Sequence, residues 1–184
     1  MTKLILVRTG KTDWNKINRI QGTCDIPLNE EGKSDAESLS HALSDKKIDA
    51  VYSSCLSRSS ETASIIVKKQ NVKVKKVKEL NELNQGVWQG LCIDDVKKRY
   101  IKQYSLWKQS PISSKPPEGE SMHEAYARTV KALKKIIKKH PNDTVCIVSH
   151  EIILALAITY LKKLDLASIW NTAPKIAAWQ EIEA

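Results

Sequence analysis

The sequence predicts a three-layer α/β/α sandwich on a mostly parallel sheet. Two observations predict it. Short apolar runs of strand length alternate with segments of helical period, which places helices on both faces of a sheet. A length of 184 residues with no splitting linker suits one core, so residues 1–184 are expected to form one domain.

The elements follow in order. Lys3 to Val7 is an apolar run bounded by Gly10 and reads as a buried strand. Asn29 can cap a helix whose Ala36, Leu39 and Leu43 share one face. Ala50 to Ser53 is a second strand, followed by a helix from about Leu56 to Lys69. Val72 to Val77 is a third strand candidate, and its alternating lysines suit a sheet edge. Glu79 to Gly90 is a loop with two glycines, and Ile93 to Tyr104 reads as one helix. Ser110 to Gly119 carries three prolines and a glycine and is irregular. Ser121 with Glu124 forms a capping box that opens a long basic helix. Thr144 to Ser149 is another buried strand, Ile152 to about Leu164 an apolar helix, and Ala177 to Ile182 a last strand.

Composition narrows the function classes. Hydrophobic residues make up 41% of the chain, too many for a disordered tail. The apolar run from Ile152 to Leu161 is shorter than the roughly 20 residues a bilayer requires, so no membrane partner is expected. The N-terminus offers no signal-peptide core, and Cys24, Cys55, Cys92 and Cys146 show neither CxxC nor CxxH spacing. A cytoplasmic chain with reduced thiols and no metal or organic cofactor is the expectation. The net charge is +9, concentrated at Lys68 to Lys78 and on the helix carrying Lys131, Lys134, Lys135, Lys138 and Lys139. Those helical lysines alternate with Val130, Leu133, Ile136 and Ile137, and no aromatics are interleaved for base stacking. They read as a solvated face rather than a nucleic-acid surface.

Three polar clusters fall just after predicted strands, where ligands bind in open α/β sheets. They are Arg8-Thr9-Gly10-Lys11-Thr12, Ser53-Ser54-Cys55-Leu56-Ser57-Arg58 and Ser149-His150-Glu151. Each alone also fits an ordinary loop; three at equivalent strand ends point to a shared site. Its available chemistry is anion binding. Arg8 and Arg58 can fork onto phosphate oxygens, and His150 can donate to the same oxygens beside a helix N-terminus. Glu82, in the glycine-bounded loop, is either a proton donor to a leaving oxygen or a plain surface carboxylate.

These residues resemble the histidine phosphatase superfamily in its phosphoglycerate-mutase-like branch. Leu6-Val7-Arg8-Thr9-Gly10-Lys11-Thr12, then Trp14-Asn15, is similar to that family's opening signature. The likeness runs on through Gln21-Gly22, Asp25, Pro27-Leu28, Glu31-Gly32, Asp49 to Ser54, Leu56-Ser57-Arg58 and Glu61-Thr62-Ala63. It includes Leu80, Glu82, Gly86, Trp88, Gly90, Pro117 to Ser121 and Val148-Ser149-His150. The resemblance implies two-step phosphoryl transfer. A histidine accepts the phosphoryl group, two arginines and a second histidine hold it, and a glutamate protonates the leaving oxygen. By position, Arg8, Arg58 and His150 become the phosphate clamp and Glu82 the proton donor. Asn15, Gln21 and Thr23 fall where the family contacts phosphate or substrate.

Thr9 stands where that signature has its nucleophilic histidine. Neutral imidazole is nucleophilic near pH 7, whereas a threonine hydroxyl needs a base. Two further departures flank the site: Lys11 where Glu or Gln is usual, and Glu151 where a small residue is usual. Clustered changes read as natural loss or repurposing rather than a designed knockout. Lys11 and Glu151 are either an ion pair across the pocket mouth or two unrelated charges. Three functions stay open. The first is a non-catalytic or regulatory subunit, a pseudoenzyme in a homo- or hetero-oligomer with an active homologue such as a phosphoserine phosphatase. The second is a stand-alone binder or sensor of phosphate or a small phosphate ester. The third is an active phosphomonoesterase or mutase using another residue, or one altered at position 9.

Overall fold

The computed structural model describes residues 1–68, 70 and 72–184; Lys69, the expected end of the second helix, lies outside them. Five strands form one sheet: β1 (Lys3–Arg8), β2 (Ala50–Ser53), β3 (Val74–Lys76), β4 (Thr144–Ser149) and β5 (Trp179–Glu183). Their order is β3-β2-β4-β1-β5. All neighbours are parallel except β5, which runs antiparallel to β1 at the edge.

Period-two alternation divides the sheet's side chains between two cores. Leu4 and Leu6 of β1, Ala50 and Tyr52 of β2, and Val145 and Ile147 of β4 point to one face. There they meet Leu133 and Ile136 of α6 (Met122–Lys139) and Ile153, Leu154 and Leu156 of α7 (Glu151–Leu161). Ile5, Val7, Val51, Cys146 and Val148 point to the other face. They meet Leu39 of α2 (Glu30–Ala42) and Ala63 and Ile66 of α3 (Ser57–Val67). This is the expected α/β sandwich. The central β4 is apolar on both faces, as a parallel strand covered on both sides must be.

The caps form as read. The Asn29 side chain accepts from Gly32 N, and Ser121 and Glu124 complete the capping box of α6. Other expectations are corrected. The segment from Ile93 to Tyr104 is two helices, α4 (Ile93–Arg99) and α5 (Ile101–Gln109), broken at Tyr100, whose ψ of 40° leaves the helical region. The break lets Tyr100, Tyr104 and Trp107 all pack on the fully buried Trp88, with ring centroids 6.3, 5.9 and 6.3 Å away. α7 ends at Leu161 rather than Leu164, and Lys163 turns left-handed at φ +54°. Two short helices were not expected: α1 (Asp13–Lys16), capped by Thr12, and α8 (Ile169–Thr172). Among the described residues no helix is long and apolar enough to cross a membrane.

Candidate functional site

The pairing of β1 with β4 sets the site. Arg8 lies beside Ser149 in register, so Thr9 and His150 leave the sheet side by side, and Thr9 N donates to Ser149 O at 3.1 Å. The turn after Thr9 needs glycine: a Cβ on Gly10 would collide with the Gly32 carbonyl at the start of α2. Arg58 enters from the first turn of α3, whose Ser57 N donates to Asp25 at 2.6 Å. Arg8, Thr9, Arg58, Glu82, His150 and Glu151 line one cavity of about 260 Å³.

Arg58 is buried, with three of its N–H donors engaged. Its Nη1 donates to Cys24 O at 2.8 Å, its Nη2 to Gly22 O at 2.7 Å, and its Nε to His150 Nδ1 at 3.2 Å. Because guanidinium nitrogens only donate, Nδ1 must carry the lone pair. Burial, reinforced by the charges of Arg58, Arg8 and Arg128, holds His150 well below the ordinary histidine range. The ring is therefore neutral with its proton on Nε2, which lies 2.7 Å from Ser54 Oγ and donates to it.

Glu82 lines the same cavity. Its two oxygens accept from Leu83 N at 2.8 Å and Ile152 N at 3.4 Å. Burial is the main cause that raises its carboxyl above the usual range, and the nearby Glu151 charge adds to it. A carboxyl raised in this way is suited to act as an acid. Arg128 of α6 fixes this loop. It forks onto Glu120 at 2.6 and 2.8 Å and donates to the carbonyls of Glu79, Asn81 and Glu82 at 2.6, 2.8 and 3.3 Å.

The other anticipated residues divide. Asn15 and Gln21 line the cavity. Asn15 Oδ1 also caps α1 by accepting from Thr12 N at 2.8 Å. Thr23 does not line it: the chain turns away through left-handed Gly22 (φ +52°), and Thr23 N and Oγ1 donate outside to Gln89 Oε1 at 2.7 and 2.9 Å. The Lys11–Glu151 pair does not form. Lys11 pairs with Glu31, which the Gly10–Gly32 contact brings beside it. Glu151 Oε2 instead lies 2.7 Å from Arg8 Nη2, setting a carboxylate on the arginine an incoming anion would use. Half of that carboxylate is open to solvent, so the pair contributes only about 0–1 kcal/mol to stability.

Sequence reasoning missed the parts that hold the site. Ser54 sits within a cluster it flagged, but nothing there marks it as the His150 partner. Arg128 is one more cation on a basic helix until the structure shows five acceptor atoms around it.

The His150 tautomer has a pH consequence. An anion accepts from His150 Nδ1 once that nitrogen carries a proton, either taken up from solvent or moved from Nε2 with Ser54 Oγ turning to donate, and uptake from solvent couples binding to pH. Affinity for sulfate, which does not titrate in this range, should rise as pH falls from 8 to 6, both in the parent and in Glu82→Gln. Calorimetry in buffers of different ionisation enthalpy reads the protons taken up; pH-independent sulfate affinity would contradict the coupling.

The comparisons with known proteins agree with this geometry. The model of the histidine phosphatase superfamily (branch 1) matches residues 4–184. The chain is 34% identical over 171 residues to Phosphoserine phosphatase 1 of Hydrogenobacter thermophilus, covering 93% of this chain and 81% of that protein. It superposes on YhfR of Bacillus stearothermophilus with a TM-score of 0.93 at 30% identity, covering 100% and 91% of the two chains. A mycobacterial glucosyl-3-phosphoglycerate phosphatase in complex with VO3 gives a TM-score of 0.91 at 26% identity, covering 97% and 91%. The chain belongs to the histidine phosphatase superfamily, branch 1.

Proposed function

We propose that this chain binds phosphate or a small phosphate ester through Arg8, Arg58 and His150 but has lost the side chain that accepts the phosphoryl group. In this reading it is a non-catalytic or regulatory subunit, working beside an active homologue of the phosphoserine-phosphatase kind. The observation that carries it is the surroundings of Thr9. No hydrogen bond joins its hydroxyl to His150 or Glu82, and both His150 nitrogens are already engaged. The two Glu82 oxygens already accept from Leu83 N and Ile152 N. A hydroxyl without a base is a poor nucleophile. A relative solved in complex with VO3 supports the binding of an anion by this fold.

Calorimetry with inorganic phosphate tests the binding half. The parent should bind weakly, and Arg58→Ala should lose roughly 1.5–3 kcal/mol, the worth of hydrogen bonds to a charged group. A parent that binds no phosphate would remove the clamp from the account. Sedimentation at micromolar concentration tests the subunit half. An assembly is expected alone or with the closest paralogue; monomer in both experiments would remove the partner, leaving a stand-alone binder.

A further inference from the structure

The two segments that hold the excess positive charge come together at a second cavity, which shares no lining residue with the clamp. It encloses about 330 Å³, within the roughly 300–1,000 Å³ of small-molecule pockets. Lys76 comes from the end of β3 and Lys78 from the turn after it, while Lys135 and Lys139 come from α6. A spacing of four puts the last two on one side of the helix. Tyr52 and Ile136, both buried, also line the cavity, and Lys75 Nζ stands 5.5 Å over the Tyr52 ring.

The walls are held in place. Val77 N donates to Ser53 O at 2.8 Å, which carries the β2–β3 pairing one residue past Lys76. Arg128 of α6 donates to the Glu79 carbonyl at 2.6 Å and so ties the turn to the helix. Tyr52 Oη and His140 Nε2, at the end of α6, share a hydrogen bond of 2.9 Å. The charge, in contrast, is not neutralised. Among the described residues none of the four lysines pairs with a carboxylate, whereas six lysines elsewhere do. Glu79 is the one acid among the lining residues, and four lysines against one glutamate leave a net charge of +3. Lysines on an edge strand block strand addition, which accounts for Lys76 but not for Lys135 and Lys139 on a helix. Like charges four apart on a helix repel. Their convergence with Lys76 and Lys78 is unfavourable unless an anion lies between them.

We propose that this cavity binds a short oligophosphate, with two or three phosphates in one chain, independently of the clamp. An ammonium is a compact point charge without the arginine fork, so each lysine meets one oxyanion rather than gripping a single group from two sides. Four of them around one cavity, with no arginine among the lining residues, fit several linked anionic groups better than one tetrahedral anion. The one aromatic residue lining it, Tyr52, is buried and offers no face for a base to stack on, which disfavours a nucleic acid.

Titration calorimetry with tripolyphosphate tests this, at fixed ionic strength and with excess orthophosphate present to occupy the clamp. The parent should bind one tripolyphosphate. Lys135→Gln with Lys139→Gln should weaken that binding by at least about tenfold. Lys131→Gln with Lys138→Gln removes the same charge from the same helix outside the cavity, and should weaken it by less than about threefold. All four substituted lysines are exposed, so melting temperatures should not change. Adenosine triphosphate titrated in parallel tells an esterified chain from a free one, and whichever binds should show the same split between the two double variants. Equal losses in both double variants would overturn the site in favour of a diffuse basic face. Binding that neither variant weakens, or no binding to the parent, would also overturn it. A single-stranded oligonucleotide bound as tightly as tripolyphosphate would replace the site with a polymer surface.

Discussion

Thr9→His should raise phosphatase activity by at least about a thousandfold over the parent. Removing the nucleophile from a catalytic constellation costs up to about 10⁶ in rate, while the remaining site can retain about 10³ over water. The remaining site here is substantial: Arg8, Arg58 and His150 line one cavity with Glu82, whose carboxyl burial pushes up. With histidine at position 9, the imidazole attacks phosphorus, the phosphorus–oxygen bond to the alcohol breaks, and Glu82 gives its proton to the departing oxygen. Water then cleaves the phosphohistidine. The single variant should fall short of an intact family member because Glu151 sits 2.7 Å from Arg8. An incoming phosphoryl group must displace that carboxylate and meets its charge. Thr9→His with Glu151→Gly should therefore exceed Thr9→His alone, chiefly through a lower KM. Steady-state assays on a panel of phosphate esters read both quantities. A double variant no faster than the single one would show that Glu151 does not obstruct the pocket.

Arg128→Ala should destabilise the fold by about 2–4 kcal/mol. The guanidinium is mostly buried, forks onto Glu120 and satisfies three loop carbonyls. Truncation leaves Glu120 without its partner and those acceptors without donors, and breaking such a set costs more than the set contributes. The same loop depends on Gly86, at φ +52°, where a Cβ would run into Pro117 O. Freed from Arg128, the segment carrying Glu82 loses its tie to α6. In a Thr9→His background the arginine variant should therefore lose kcat even at temperatures where it remains folded. Urea unfolding followed by circular dichroism gives the stability change. A loss under about 0.5 kcal/mol would mean that water replaces the guanidinium at little cost.

The sheet was legible because each central strand is a run of apolar residues of strand length, and both faces of β1 and β4 are covered. The lysines of β3 likewise marked an edge. The break at Tyr100 was not legible, because the helical period runs through it. What bends the chain there is tertiary, the sharing of Trp88 by three aromatic rings. α8 is only four residues long and packs on α7, so local propensity gives it no signal. At the site, strand ends pointed to Arg8, Thr9, Arg58 and His150, and the family likeness pointed to Glu82. Thr23 lies outside the lining of the cavity because one left-handed glycine redirects the chain. The Lys11–Glu151 pairing failed because sequence shows opposite charges but not distances: each found a nearer partner, in Glu31 and Arg8. The aromatic residues around the cavity were not legible as a group because they come from α1, α5, α8 and the loop before α4.

The unmodified chain's own turnover tests the central claim most directly. Para-nitrophenyl phosphate should be hydrolysed at least about a thousandfold more slowly than by an intact family member, and acid quenching followed by intact-mass spectrometry should find no phosphoenzyme. A kcat in the family's usual range, or a phosphoryl group trapped on the parent chain, would contradict the account and show that another residue has taken over from position 9.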